Sequence, residues 1–191
     1  MELEANKIKT ELAKAGIHVD DIYDLVKTNK PNPAAVPVLL DLLKEGIEHT
    51  GIKEGVIRAL AVKEAIGKAS PVLLDEYSKI PKNKMLLRWV IGNTIYITIT
   101  EDDVGRILPI IQDKENGMSR QMFVAALGKT TSGKAEDVLI KLLDDDEVAA
   151  HAIEALCRMK SKKAREKILT LINHPKALIK KEAQKALKKL L

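Results

Sequence analysis

The feature that most constrains this fold is a short apolar motif that recurs along the chain. Its pattern is two apolar residues, one gap residue and two further apolar residues, from which the second and third copies depart at single positions. The copies start 34, 34, 32 and 29 residues apart. Such spacing is typical of a unit of two helices and their turns, which must stack on its neighbours to bury its apolar face. The five copies are Leu39–Leu43, Leu73–Tyr77, Ile107–Ile111, Leu139–Leu143 and Ile168–Ile172.

A second pattern follows each motif and indicates the second helix of each repeat. A basic residue stands seven positions before an apolar residue, which we call the anchor of that helix. The fourth repeat departs from this pattern, since Ala149 occupies the basic position before Leu156. Stretches such as SRQMFVAALGK have the spacing of an amphipathic helix. The other pairs are Lys53 with Leu60, Lys84 with Ile91, Arg120 with Leu127 and Lys180 with Leu187.

These two patterns, held in one register, resemble the HEAT-repeat family, particularly its short bacterial members of the bilin-lyase-like type. The resemblance covers residues 34–191. It implies an all-α, right-handed superhelix of about six helix pairs, with the second helices lining a concave face. Because the family includes scaffolds, lyase subunits and a branch of DNA glycosylases, the resemblance implies a fold more than an activity.

We expect one continuous solenoid domain with a helical capping pair at its start. Residues 1–33 match the repeat pattern poorly, and NKPNP at residues 29–33 is expected to stop the second helix of this cap. A cap is needed because terminal repeats must present one polar face. Its helices are indicated by Ile8, Leu12, Ile22, Leu25 and Val26. The five expected repeats are 34–65, 66–100, 101–133, 134–161 and 162–191.

One segment, NTIYITITEDD at residues 93–103, has the alternating β-branched pattern of a strand. A single strand without a partner would leave its backbone hydrogen-bonding groups unsatisfied. The repeat register instead places this segment at the end of a second helix. We therefore predict helix from Met85 to about Thr98 and no β-sheet. Thr100 is expected to cap the next helix, with Asp103 three positions after it.

Composition favours a cytoplasmic protein. Cys157 is the only cysteine, so no internal disulfide or cysteine-rich zinc site can form, and a reducing compartment is expected. The first residues lack the continuous apolar stretch of a signal peptide. No segment approaches the ~20 apolar residues of a membrane span. We therefore expect no membrane association.

Charge is distributed unevenly along the chain. Residues 1–100 carry 14 basic and 13 acidic residues, residues 101–159 carry 7 and 12, and residues 160–191 carry 11 and 2, so the net charges are +1, −5 and +9. The pI of about 9.1 therefore describes the C-terminal residues more than the whole chain. We expect positive potential at the last repeat, beside an acidic stretch.

No catalytic or metal-binding motif is present in the sequence. It contains no GxSxG, HExxH or GxGxxG and no glycine-rich phosphate loop, and its histidines lie in different repeats. LLDDDEV at residues 142–148 suggests a cation site, but it lacks the alternating ligands and the glycine of a calcium loop. We favour a turn followed by acids at a helix N-terminus, where the helix dipole stabilises them. We predict no catalytic residue, metal ligand or cofactor.

The best candidate for a site is a stripe along the second helices. Positions six and two before each anchor, and two after it, are spaced by four and share one helix face. If the anchors face the first helices, this stripe faces the concave groove. In chain order the stripe is Glu54, Arg58, Val62, Met85, Trp89, Asn93, Gln121, Ala125, Lys129, Ala150, Glu154, Arg158, Lys181, Lys185 and Lys189.

Trp89, near the middle of this stripe, is the residue that we expect to contribute most to binding a partner. We expect it to be partly exposed, with Arg58 and Gln121 beside it, because stacking places equivalent positions side by side. The alternative is that Trp89 fills the core and that the polar residues are solvated surface. The predicted groove residues are Arg58, Trp89, Asn93, Gln121, His151, Glu154 and Arg158.

The lysines of the last helix allow two interpretations. They could neutralise the phosphates of a nucleic acid, or they could solubilise the terminal repeat. Arg165 is the only arginine among residues 160–191, and no aromatic residue is interleaved, so base stacking has no local support. The candidate basic patch is Lys180, Lys181, Lys185, Lys188 and Lys189.

We expect a non-catalytic binding or scaffold module that presents its groove to a protein or peptide. A first alternative is nucleic-acid binding through the basic C-terminal repeat. A second is an enzyme of the DNA glycosylase or bilin lyase kind, with Trp89 and an acid such as Glu154 in one cradle. No motif identifies the partner.

Overall fold

The computed structural model describes residues 1–28 and 32–190, and these form an all-α fold. No strand occurs within those ranges, as predicted. The α-helices there are α1 Glu2–Lys14, α2 Tyr23–Lys27, α3 Ala35–Glu45, α4 Thr50–Ala59, α5 Ala69–Lys79, α6 Met85–Thr98, α7 Val104–Gln112, α8 Gln121–Leu127, α9 Gly133–Lys141, α10 Ala149–Arg158, α11 Arg165–Leu169 and α12 Ala177–Leu190. Short 3₁₀ segments are Lys63–Ala65, Glu101–Asp103, Lys114–Arg120 and Leu142–Asp144.

The chain forms two compact units, Met1–Thr98 and Ile99–Leu191. In the first unit, α1, α3 and α5 pack in series, and so do α2, α4 and α6. In the second unit, α7 packs on α9, while α8, α10 and α12 pack in series. Each unit therefore has a layer of first helices and a layer of second helices, which is the order of HEAT-like repeats. The five repeat boundaries and the single continuous domain stay predictions.

The anchors explain why the second helices pack as they do. Leu60, Ile91, Leu127 and Leu156 are each 0% exposed, whereas Leu187 in α12 is partly exposed. Fully burying one such side chain contributes about 1.5–3 kcal/mol. The apolar register of the sequence thus marks the core positions, and the loss of full burial at Leu187 coincides with the last helix pair.

The segment with strand-like alternation is helical, as predicted. Helix α6 spans Met85–Thr98. Its buried threonines use their hydroxyls inside the helical array: Thr94 donates to the carbonyl of Ile57 at 3.0 Å, and Thr98 donates to the carbonyl of Thr94 at 3.2 Å. The Thr98 hydroxyl also lies 3.0 Å from that of Ser70. Tertiary packing therefore outweighs the β-propensity of the segment.

The predicted cap after this helix is also confirmed. Thr100 and Asp103 form a reciprocal capping box, in which the backbone N–H of Thr100 donates to the Asp103 carboxylate at 2.8 Å. The capped element begins as the 3₁₀ turn Glu101–Asp103 and continues as α7. In the predicted N-terminal cap, α2 ends at Lys27. NKPNP falls largely on residues 29–31, which lie outside the described residues.

Candidate functional site

A buried carboxylate holds α5 against α4 in the first unit. The side chain of Glu76 is 4% exposed and accepts hydrogen bonds from Lys53 at 3.0 Å and from Lys79 at 2.8 Å. Burial opposes ionisation of Glu76, but the two lysines outweigh it and lower the pKa of the carboxyl. We call these three residues the Glu76 cluster.

In the second unit, a buried guanidinium joins the start of α8 to the turn before α10. Arg120 is 1% exposed and donates to Asp145 at 2.9 Å and to Glu147 at 2.7 Å. It also donates to the backbone carbonyls of Gly117 and Ile111. Burial opposes the charge of Arg120, but the two carboxylates raise its pKa, and Arg120 in turn lowers the pKa of Asp145 against the opposing effect of burial. Arg120, Asp145 and Glu147 form the Arg120 cluster.

The other acids of LLDDDEV also form ion pairs. Asp144 pairs with Lys167 at 2.5 Å, and Asp146 lies 3.2 Å from both His174 and Lys176. Through these ion pairs, the acidic run links the turn before α10 to Arg120 on one side and to Lys167 and Lys176 on the other. Among the residues the structure describes, no group of three His, Cys, Asp or Glu side chains could hold a metal ion.

Two stripe positions of α10 and two of α12 line one cleft of about 300 Å³, which we call the α10–α12 cleft. Glu154 and Arg158 stand on one wall, and Lys185 and Lys189 on the other. Arg158 pairs with Glu154 at 3.3 Å, and Lys185 pairs with Glu182 at 3.2 Å. The remaining lining residues are Ile153, Cys157, Glu182 and Ala186. The cleft thus has an apolar floor and charged groups of both signs on its walls.

A second groove, of about 570 Å³, lies at the C-terminal ends of α8 and α10. Lys129 and Arg158 both line it. Burial, and secondarily the like charge of Arg158, lowers the pKa of Lys129. The two helices approach closely here, because a Cβ on Gly128 would lie only 2.6 Å from the Cα of Ala155. This close approach brings the two cations together.

His151 and Gln121 border the same helix layer. His151 is half-buried, and its Nδ1 is buried without a hydrogen-bond partner among the described residues. Burial lowers the pKa of His151, while Glu154 and Glu182 partly oppose this effect. Gln121 is partly exposed and donates its side-chain amide to the backbone carbonyl of Glu147 at 3.1 Å. Both residues belong to the second unit, but neither lines the two grooves, and Gln121 lies at the N-terminal end of α8.

The stripe residues of the first unit are also partly exposed. Trp89 and Asn93 on α6 are half-buried, and Arg58 on α4 forms an ion pair with Glu54 at 2.8 Å. Trp89 is therefore partly exposed, as expected. Its expected contacts with Arg58 and Gln121 stay predictions.

Several basic residues of the C-terminal segment form ion pairs with acids of the second unit. Lys163, Lys167 and Lys176 face acids: Lys163 lies 3.7 Å from Glu136 and 3.6 Å from Asp137, and the other two pair with the acidic run. Part of the positive charge of residues 160–191 is thus paired with acidic side chains of residues 101–159. The predicted patch on α12 is exposed at Lys180, Lys181, Lys185, Lys188 and Lys189.

Sequence reasoning missed several contributors to these grooves, of which Glu182 and Gly128 affect their charge and shape most. Glu182 was not selected because it lies outside the stripe, and Gly128 was not selected because a helix-terminal glycine is ordinarily only a helix end. The sequence GKTTSG does place Gly128 directly before Lys129, but nothing in it signals the close approach to Ala155.

The comparison with protein families agrees with this helix arrangement. The family model for HEAT repeats matches residues 136–190, which include most of α9 and the whole of α10, α11 and α12. This match identifies that part of the chain as similar to HEAT repeats. HEAT repeats generally mediate interactions between proteins. No curated protein and no solved structure matched the chain. None of the helices in the described ranges is long and apolar enough to cross a membrane.

Proposed function

We propose that this protein is a non-catalytic HEAT-repeat module that binds a protein or peptide along its second helices. The observation that carries the proposal is the α10–α12 cleft, in which four stripe positions from two successive second helices line one groove. The cleft pairs an apolar floor of Ile153 and Ala186 with a charged rim. This combination is suited to an extended peptide, whose side chains can be buried while its polar backbone stays at the rim.

Nucleic-acid binding through α12 is the less favoured function. Glu154 and Glu182 line the same cleft as Lys185 and Lys189, so a continuous row of phosphates would meet two carboxylates. The only aromatic side chain among residues 99–190 is Phe123, which is fully buried, so that unit offers no surface for base stacking. The alternative with Trp89 and Glu154 in one enzymatic cradle stays a prediction, because these two residues belong to different compact units.

Peptide display on the full-length protein tests the proposal. Selected peptides should bind the wild type and lose binding to the double variant Arg158→Glu, Lys185→Glu, which reverses two charges of the cleft. Lys141→Glu is the matched control, because Lys141 is exposed on the first helix α9. Equal loss in the control, or no loss in the double variant, would contradict binding along the second helices.

The role of Trp89 is tested separately. Trp89→Ala should stay folded by circular dichroism, and peptides that bind the second helices of the first unit should bind this variant more weakly, since a partly exposed tryptophan is a frequent hot spot of binding. Loss of folding would assign Trp89 to the core, and unchanged binding by a folded variant would exclude it from the binding surface.

A further inference from the structure

Three cations of the second unit occupy one register position. Lys129, Arg158 and Lys189 each stand two positions after the apolar anchor of their helix: Lys129 just beyond the end of α8, Arg158 at the end of α10 and Lys189 in α12. These helices pack in series. Lys129 and Arg158 line one groove, and Arg158 and Lys189 line the α10–α12 cleft. The three side chains therefore form a row with one cation per helix, which we call the cation row.

Three carboxylates line the same grooves as this row: Glu136 in the groove of Lys129 and Arg158, and Glu154 and Glu182 in the α10–α12 cleft. Glu154 stands one helical turn before Arg158, and Glu182 stands seven residues before Lys189. A uniform polyanion laid across the helices would face both signs of charge. A ligand with negative charges only at intervals can place them on the cations and keep neutral groups opposite the glutamates, so charge complementarity favours spaced acids.

The spacing of the row selects a peptide conformation. Neighbouring packed helices lie about 8–10 Å apart, and the contact of Gly128 with Ala155 shows that the end of α8 packs directly on α10. A polyproline II chain rises about 3.1 Å per residue and has three residues per turn. Residues three apart therefore project from the same side at about 9.3 Å, which matches one residue per cation.

We propose that the cation row binds an acidic peptide in polyproline II conformation, with a carboxylate at every third residue. This inference rests on the proposed function and specifies the chemistry of its partner. The carboxylates pair with Lys129, Arg158 and Lys189, and the intervening residues pass over Ile153 and Ala186 on the cleft floor.

Fluorescence anisotropy with the full chain and labelled synthetic peptides tests this inference. The probe is a peptide of three Glu-Pro-Ala units, and the comparison peptides have the same composition with adjacent glutamates, or glutamine in place of glutamate. We expect the spaced acidic peptide to bind at least about three-fold more tightly than either, since exposed ion pairs contribute about 0.2–1 kcal/mol each. Equal binding of the three peptides would overturn the inference.

Variants locate the binding on the protein. Arg158→Gln and Lys189→Gln should each weaken binding of the spaced peptide by about two- to five-fold, while Lys141→Gln on α9 should leave it unchanged. Both tested side chains are exposed, so these variants keep the fold. Tighter binding of a thymidine oligonucleotide than of the spaced peptide would also overturn the inference.

The two proposals fail differently in these experiments. If display selects neutral peptides that bind the wild type but not the Arg158→Glu, Lys185→Glu variant, the cleft is a binding site. The proposed spacing of carboxylates in the ligand is then wrong. If neither selected nor synthetic peptides depend on the cleft residues, both proposals are wrong.

Discussion

The Glu76 cluster and the Arg120 cluster join successive helix pairs, yet they bury opposite charges. Lys53 and Arg120 occupy the same register position, seven residues before Leu60 and Leu127. Lys53 stays partly exposed and reaches one buried carboxylate, whereas Arg120 is itself buried and reaches two carboxylates and two backbone carbonyls. A planar guanidinium with five donors can satisfy several acceptors at once, but an ammonium on a flexible stem cannot do so in that geometry.

One sequence position can therefore stabilise neighbouring helix pairs in two ways. In the first unit the lysines remain near solvent and can return to water when their partner is lost. In the second unit the buried group is the hub, so its removal leaves several acceptors without a donor at the same time. The Arg120 cluster should therefore be the more sensitive of the two.

The largest expected effect is that of Arg120→Met. Removing this buried hub should lower the free energy of unfolding of the second unit by about 3–5 kcal/mol, because Asp145 and two carbonyls lose their donor. Urea denaturation followed by circular dichroism measures the change. Arg120→Lys keeps the charge but not the fork of donors, so we expect a smaller loss. A loss below about 1 kcal/mol for Arg120→Met would contradict the assignment of Arg120 as a hub.

The next prediction tests how the close approach of α8 to α10 affects stability. Gly128→Ala should lower the free energy of unfolding by about 1–3 kcal/mol, because the new Cβ meets the backbone of Ala155 and the helices must separate. Gly105→Ala is the matched control: Gly105 lies in α7 with open space at its Cβ position, so this change should stabilise by about 0.5–1 kcal/mol. Equal effects of the two substitutions would show that the close approach is unimportant.

Glu76→Gln tests the other side of the comparison. The neutral amide keeps the shape but loses the charge that attracts Lys53 and Lys79, so we expect a loss of about 1–2 kcal/mol, which is less than for Arg120→Met. Chemical denaturation of both variants under identical conditions checks the order. A larger loss for Glu76→Gln would reverse the comparison between the two clusters.

The smallest effect is on the pH dependence of the free energy of unfolding, to which both clusters contribute. The folded protein lowers the pKa of Glu76 below its ordinary 4.5 and that of Asp145 below its ordinary 3.8. Each contribution is therefore fully present above the ordinary pKa and is lost as the pH falls through the folded value. Denaturation curves between pH 7 and about pH 3 should show this decline. The decline should be shallower in Glu76→Gln, and an unchanged slope would contradict the contribution of Glu76.

The apolar register predicted much of the fold, because burial depends on periodicity that a sequence displays directly. It placed α6 at Met85–Thr98 and the cap at Thr100 despite the local β-propensity. It could not distinguish the buried Arg120 from the exposed Lys84, although both occupy the basic position. Burial of a charge depends on partners such as Asp145 and Glu147, which lie more than twenty residues away.

The candidate site was predictable only in part, for a related reason. Helical spacing placed Glu154, Arg158, Lys185 and Lys189 on one stripe, and these residues do line one cleft. The same spacing gave no sign that Glu182 would join them or that Gly128 would bring Lys129 beside Arg158. Such contacts depend on the distance between two helices, which is set by packing rather than by the periodicity of either helix.

Site-specific photo-crosslinking tests most directly whether partners bind along the second helices. A benzophenone amino acid replaces either Lys185 in the α10–α12 cleft or Lys141 on α9, and each full-length protein is irradiated with a display-selected peptide. We predict a crosslinked product from position 185 and none above background from position 141. Crosslinking at position 141 that equals or exceeds that at position 185 would contradict binding along the second helices.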